Sequence, residues 1–147
     1  MAVINPPGIP IERGKIHEFA NSIECDEPLY HDEIAAKEAG LPSVVMPPTY
    51  STVENFFPAA GQKNKVELLG LDLRFVLHGA QEWTIERPIF AGEHLTIEHE
   101  EPVGYTKKGK RGGEMQFYDM GINYKDKDGN VVMHVKSTVI QTGGVVK

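Results

Sequence analysis

The sequence predicts an α+β domain, with short helices first and an antiparallel sheet after them. Three observations predict it. Apolar residues recur at helical spacing early in the chain, as in Ile16, Phe19, Ala20 and Ile23. From Leu71 onward they alternate with mostly polar residues, the period of a strand. Asp128-Gly129 then falls between two long alternating runs, the sequence signature of a hairpin turn.

Gly8 with Pro6, Pro7 and Pro10 keeps the start irregular, and Pro28 does the same for the loop after the first helix. Ile16, Phe19, Ala20 and Ile23 make one face of that helix. A short second helix is expected from Asp32, an N-cap, to Gly40 just past its end. "PPTYSTVENFF" predicts a third, with Pro48 in its first turn. Tyr50, Val53 and Phe57 form its apolar stripe, with Phe56 beside it. After the polar "AAGQKNK", residues Leu71, Leu73, Phe75 and Leu77 open the alternating half in "LDLRFVLHG". "QEWTIE", "HLTIEH", "MQFYDMGINY" and "VVMHVKSTVI" complete about five strands, bounded by turn signals such as Pro88, Gly92, "KKGKRGG" and "KDKDGN". The sequence has no internal repeat or low-complexity tract.

Composition narrows the function classes. The 147 residues read as one domain, 1–147, long enough to bury a core. A net charge of -6 argues against a nucleic-acid platform. One cysteine, Cys25, excludes an internal disulfide framework and suits a reducing cytoplasm. "MAVINPPGIP" lacks the basic and apolar regions of a signal peptide, and no apolar run approaches the ~20 residues of a membrane helix. The expectation is a soluble cytoplasmic protein without nucleic-acid or membrane partners.

Three blocks carry a further pattern. "EFANSIECDEPLYHDEIAAKEAGLPSVVMPPTY" resembles the N-terminal region of the MaoC-like, FAS1-like dehydratases. "LHGAQEWTIERPIFAGEHLTIE" is similar to that family's next block, a strand, a turn at Arg87-Pro88 and Ala91-Gly92, and a strand. "YKDKDGNVVMHVKSTVI" is similar to its last hairpin, so the match runs in order from Ile11 to Gln141. The resemblance implies a hotdog fold, a long antiparallel sheet wrapped around a central helix. It also implies work on acyl thioesters of coenzyme A or acyl carrier protein, namely reversible hydration of a 2-enoyl thioester to an (R)-3-hydroxyacyl thioester, with no cofactor. Such a sheet leaves a long edge unpaired, so dimerisation through that edge is expected.

The implied chemistry needs a general base for the water that adds at C3, an acid for C2, and a dipole for the enolate oxygen. Active members carry a loop of the form G-D-x-N-P-aliphatic-H, whose Asp and His are the acid–base pair. Two alignments of this chain on that loop are available. Fixing Pro28-Leu29, with Asp32 and Ala35-Ala36 behind it, puts Cys25 where the Asp belongs and Tyr30 where the His belongs. Fixing the spacing instead selects Asp26 and His31, but displaces Pro28 and all that follows. The first keeps more landmarks. A phenol near pKa 10 and a thiol near 8.5 do not replace that pair at neutral pH. The resemblance then points to the substrate-binding, dyad-less half of a two-chain hydratase, whose partner hotdog (in a heterodimer or heterotetramer) keeps the Asp and His. The alternatives are a self-sufficient homodimeric hydratase or thioesterase using Asp26 and His31, or a non-enzymatic acyl-thioester binder.

Other candidates each have a plainer reading. Cys25 is otherwise a small buried apolar residue, and His31 an exposed histidine beside a helix start. Tyr50 and Phe57 are core residues before they are pocket lining. Thr49 and Tyr50 carry the backbone donors left at the third helix's start, because Pro47 and Pro48 have none. His78 and Gly79, between two strand runs, make a turn or a narrow point beside the pantetheine. Lys107, Lys108, Lys110 and Arg111 are a solvated turn, or a contact for coenzyme A phosphates or an acidic carrier. His17, His94, His99 and His134 have no metal-ligand spacing with one another or with Cys25, so no metal is expected.

Overall fold

The computed structural model describes residues 8–57, 68–109 and 113–143. In order they form β1 (Ile9–Pro10), α1 (Arg13–Ser22), a 3₁₀ turn (Pro28–Tyr30), α2 (Glu33–Glu38), a 3₁₀ helix (Pro48–Phe56) and another 3₁₀ turn (Leu73–Phe75). The strands β2 (Val76–Ile85), β3 (His94–His99), β4 (Val103–Lys108), β5 (Glu114–Lys125) and β6 (Val131–Thr142) follow. The order helices then antiparallel strands is the α+β arrangement expected.

The sheet runs β1-β3-β5-β6-β2, with β4 also on β5. β3 pairs with the far half of β5, Thr96 opposite Lys125 to His99 opposite Ile122. β4 pairs with the near half, from Val103 opposite Asp119 to Lys108 opposite Glu114. β6 pairs along the length of β5, and β2 closes the far side on β6. β2 is therefore an edge strand.

The strands differ from the expectation in three places. β1 lies within the stretch read as irregular, and its Pro10 is tolerated because it sits on an edge. β4, "VGYTKK", was not expected, since it is held by pairing with β5 and not by an apolar face. "LDLRFVLHG" and "QEWTIE" are not two strands. Leu73–Phe75 turns tightly because the Asp72 carboxylate accepts from the Arg74 N–H at 3.0 Å and pairs with its guanidinium at 2.6 Å, which leaves Leu73 72% exposed. One strand then runs from Val76 through His78 and Gly79 to Ile85, so that pair is no turn. It is a bulge, where the β2–β6 register shifts. A Cβ on Gly79 would stand 2.8 Å from Ile140 Cδ1 and 3.1 Å from the Thr138 carbonyl oxygen, so only glycine fits unstrained.

The helical layer follows the sequence closely. Ile16 and Ala20 are buried on α1 and Phe19 packs on the same core. Ile23 lies past the helix end and is 48% exposed, so the expected face is one residue shorter. There Glu24 takes a left-handed φ of 54°, and the Cys25 N–H closes the turn on the Ala20 carbonyl at 2.9 Å. Asp32 caps α2 by accepting from the Ile34 N–H at 2.7 Å, and Gly40 follows at φ +80°.

The third helix is wound as a 3₁₀ helix. Thr52 Oγ1 donates to the Thr49 carbonyl at 2.8 Å and Asn55 Nδ2 to the Thr52 carbonyl at 2.9 Å, side-chain bonds that compete with α-helical pairing. Tyr50 and Ser51 are its buried residues. Val53 packs against the core, Phe57 is half-buried beyond the helix end, and Phe56 is exposed. Trp83 Nε1 donates to Ser51 Oγ at 3.1 Å, and Tyr124 Oη to the Ser51 carbonyl at 3.3 Å and Glu54 Oε2 at 3.1 Å. These bonds hold the helix against β2 and β5. Burial, then the Glu54 carboxylate, pushes the Tyr124 phenol far up, so it stays a neutral donor.

The expected hairpin joins β5 to β6. Asp126 Oδ1 accepts from the N–H groups of Asp128 and Asn130 at 2.9 and 3.0 Å, with Gly129 at φ +83°. Among the described residues no helix is long and apolar enough to cross a membrane.

Candidate functional site

A cavity of 330 Å³ opens where the helical layer meets the ends of β2 and β6. Tyr30, Val45, Met46 and Pro48 line one wall, and Ile85, Met133 and the turn Glu86, Arg87, Pro88 and Ile89 line the other. The segment around Val45 is stitched between the two walls. Its N–H donates to the Leu29 carbonyl at 2.9 Å, the Met46 N–H to the Ile89 carbonyl at 2.7 Å, and Ala91 N–H to the Val44 carbonyl at 3.0 Å. The lining is mostly apolar, with Tyr30, Glu86 and Arg87 as its polar side chains.

Arg87 is committed to the turn. It grips Glu93 through two bonds of 2.9 and 2.7 Å, donates to the Pro88 carbonyl at 2.9 Å, and lies 3.6 Å from Asp126. Burial alone would raise the Glu93 carboxyl, but hydrogen bonds from Arg87 and the Phe90 N–H, with the Arg87 charge, outweigh it and hold it below the usual range. Sequence alone marks Arg87-Pro88 only as a turn. The signal available was Glu93, a carboxylate placed just beyond Gly92.

Of the four residues in contention for the dyad positions, Tyr30 lines the cavity. Burial first, then the Cys25 and Glu27 charges, pushes its phenol up, so at neutral pH it is an O–H donor and acceptor. His31 is engaged elsewhere. Its Nε2 lies 2.7 Å from the Cys25 carbonyl oxygen, and its Nδ1 lies 2.7 Å from Nδ1 of His17, with the rings edge to face at 4.8 Å. His17 Nε2 in turn faces Asn21 Nδ2 at 3.1 Å. Neither Cys25 nor Asp26 lines the cavity.

The other candidates are dispersed. Tyr50 is core, edge to face with Phe19 at 5.4 Å, while Thr49 is exposed. Ile85 pairs with Met133 at the cavity, but His78 pairs with Val139, about 20 Å further along β6 at ~3.3 Å per residue. Lys107 and Lys108 lie at the opposite end of β5 from the Tyr124 end that packs on the core. Lys107 Nζ sits 5.0 Å from the ring centres of both Tyr105 and Phe117, which stack at 5.2 Å. Lys110 and Arg111 lie outside the described residues. Among the described residues no group of three or more His, Cys, Asp or Glu could hold a metal ion.

A family model described as the FAS1-like dehydratase domain region matches residues 2–135. The chain belongs to that family. A UPF0336 protein of Saccharopolyspora erythraea is 35% identical to this chain over 138 residues, covering 93% of it and 84% of the relative. A UPF0336 protein of Streptomyces coelicolor is 44% identical over 94 residues, 63% of this chain and 62% of that protein, so the match spans less than two thirds of that relative. Among solved structures, the ChsH1–ChsH2 complex from Mycobacterium tuberculosis matches with a TM-score of 0.73 at 23% identity, covering 98% of this chain and 86% of that one. The HadBC (3R-hydroxyacyl-ACP dehydratase) complex from the same organism matches with a TM-score of 0.67 at 20% identity, over 92% and 91%. Together with the curled antiparallel sheet, these likenesses give the chain the hotdog fold.

Proposed function

We propose that this chain is the substrate-binding, dyad-less hotdog subunit of an (R)-specific enoyl-thioester hydratase, completed by a second hotdog chain that carries an intact Asp and His. The observation that carries the reading is the exchange of roles within two adjacent residues. Tyr30 faces the cavity and stays protonated, whereas His31 is turned onto the Cys25 carbonyl and His17. A neutral phenol can hydrogen-bond a thioester carbonyl, but it does not take a proton from water at neutral pH. The apolar lining, Val45 and Met46 on one wall and Ile89 and Met133 on the other, suits an acyl group.

Two features support a partner. β2 pairs with β6 on one side only, and Leu77 and Ile85 on it are exposed. Two of the solved likenesses are two-component complexes. Hydration of an enoyl thioester is acid–base chemistry, so the reading assigns the chain no cofactor.

The test is hydration of crotonyl-CoA. The chain alone is expected to turn over negligibly. In a complex with the partner, His31→Ala and Asp26→Asn here should leave turnover within a few-fold, while loss of the partner's Asp or His should cost about 10²–10⁴-fold. A His31-dependent rate from the isolated chain would overturn the reading in favour of a homodimeric hydratase or thioesterase using Asp26 and His31. Binding without turnover in any complex would leave a thioester-binding protein.

A further inference from the structure

The cavity has one charge that its surroundings leave unanswered. Of the three polar side chains that line it, Tyr30 is a neutral phenol and Arg87 is the one cation. The guanidinium is already engaged within its own turn, on Glu93 at 2.9 and 2.7 Å, on the Pro88 carbonyl at 2.9 Å, and beside Asp126 at 3.6 Å. Asp126 is held below the usual carboxylate range, chiefly by the Asn130 N–H, and Glu93 is held there too despite its burial. One positive and two negative groups therefore leave that cluster at -1, with no cation to spare.

Glu86 is the third polar side chain. Its backbone N–H extends the β2–β6 pairing by donating to the Val132 carbonyl at 3.0 Å, but its carboxylate has no hydrogen bond or ion pair among the described residues. The turn does not use this charge to hold itself together. It stands beside an otherwise apolar lining, where a few polar groups decide which ligand is accepted.

We propose that Glu86 is a specificity determinant, through which the cavity takes uncharged acyl groups and excludes those that end in a carboxylate. Apolar walls discriminate weakly between ligands of one size, and a fixed like charge supplies the missing rejection. The dimensions decide whether one exposed charge is enough. A volume of 330 Å³ is that of a sphere about 9 Å across, so a group inside lies within about one Debye length of Glu86 at physiological salt. With an effective dielectric constant of about 20, like charges ~8 Å apart repel enough to weaken an anion's binding roughly thirtyfold without salt and roughly threefold with it. The Arg87 cluster adds to this repulsion, because its own sum is negative.

The inference rests on the proposed function for the thioester that carries the acyl group, whereas the sign of the charge does not depend on it. The test compares glutaryl-CoA with 5-methylhexanoyl-CoA, in which two methyl groups stand where the carboxylate oxygens are, by calorimetric titration of the full chain. Coenzyme A is common to both, so its phosphates cancel in the ratio of affinities. The wild type should favour the uncharged thioester, and the ratio should fall at least about threefold in Glu86→Gln. Lowering the salt from about 0.5 M to about 20 mM should raise the ratio more in the wild type than in the variant. Glu86 is exposed, so the variant should fold. An equal ratio in the two chains overturns the inference. If neither thioester binds, the proposed function fails, and hexanamide and hexanoate then decide the preference through the methyl NMR signals of Met46 and Met133. Hexanamide moving those signals at concentrations at least about threefold below hexanoate, in the wild type and not in Glu86→Gln, supports the inference. Equal responses, or none, overturn it.

Discussion

The indole N–H of Trp83 donates to the hydroxyl of Ser51 at 3.1 Å, joining the strand at the free edge of the sheet to the helix packed against it. Tyr124 reaches the same residue from β5 through the Ser51 carbonyl. One small buried residue therefore fixes the helix to two strands. Ser51→Ala leaves the Trp83 N–H without its acceptor and should cost about 1–3 kcal/mol in urea unfolding. Adding Trp83→Phe should recover part of that loss. An unchanged midpoint for Ser51→Ala would show that the hydroxyl is not what holds the indole.

Gly79 should be intolerant of any side chain. Its Cβ position meets Ile140 at 2.8 Å and the Thr138 carbonyl oxygen at 3.1 Å. Gly79→Ala should destabilise by about 1–3 kcal/mol through overpacking. Ile140→Val in the same chain should restore some of it, because the side chain can yield where the carbonyl cannot. A double mutant no more stable than Gly79→Ala would place the whole conflict on the backbone.

Glu24 holds a left-handed conformation that glycine adopts without strain. Relief of about 1–2 kcal/mol there is partly offset by the greater freedom of glycine in the unfolded chain, about 0.4–1 kcal/mol. Glu24→Gly is expected to stabilise by roughly 0.5 kcal/mol on that balance, and Glu24→Val to destabilise. Thermal unfolding of the three chains checks the order, and a Val variant as stable as the wild type would contradict it.

Glu93 sets an acid limit on the turn that walls the cavity. Its carboxyl is held below the ordinary value of 4.5 in the folded chain, so its contribution is full above that pH and is lost as pH falls through the lower folded value. Arg87 is partly exposed, so solvent screening keeps the pair to about 1 kcal/mol. Glu93→Gln should be less stable than wild type by that amount at neutral pH, with the gap closing in acid. A gap independent of pH would mean that the loss is one of packing.

How much of this was legible in the sequence depends on the kind of signal. The Ile16–Ala20 face, the Asp32 cap and the Asp128-Gly129 turn are local, and the structure has all three. β4 was not legible because Gly104, Thr106 and the two lysines give it no apolar period; its cause is β5, which lies alongside it. Gly79 looked like a break and is a bulge, since the residue that forbids a side chain there, Ile140, sits on another strand. The site divides in the same way. Pro28-Leu29 marked Tyr30 from sequence alone, but His17 had no such marker, because it meets His31 only where the loop doubles back onto α1.

β2 reaches its partner β6 across three intervening strands, whereas β4, β5 and β6 are consecutive hairpins. Closing the longer loop carries the greater entropic penalty, so β2 is expected to join β6 after the β4–β5 and β5–β6 hairpins have formed. Thr84→Ala should then speed unfolding and leave the folding rate unchanged, and a slowed folding rate would contradict this order. The strand with the open edge thus arrives after the hairpins it extends. A second chain that pairs with that edge would meet it only after those hairpins have formed, so co-expression, not the mixing of finished chains, is the favoured route to a complex.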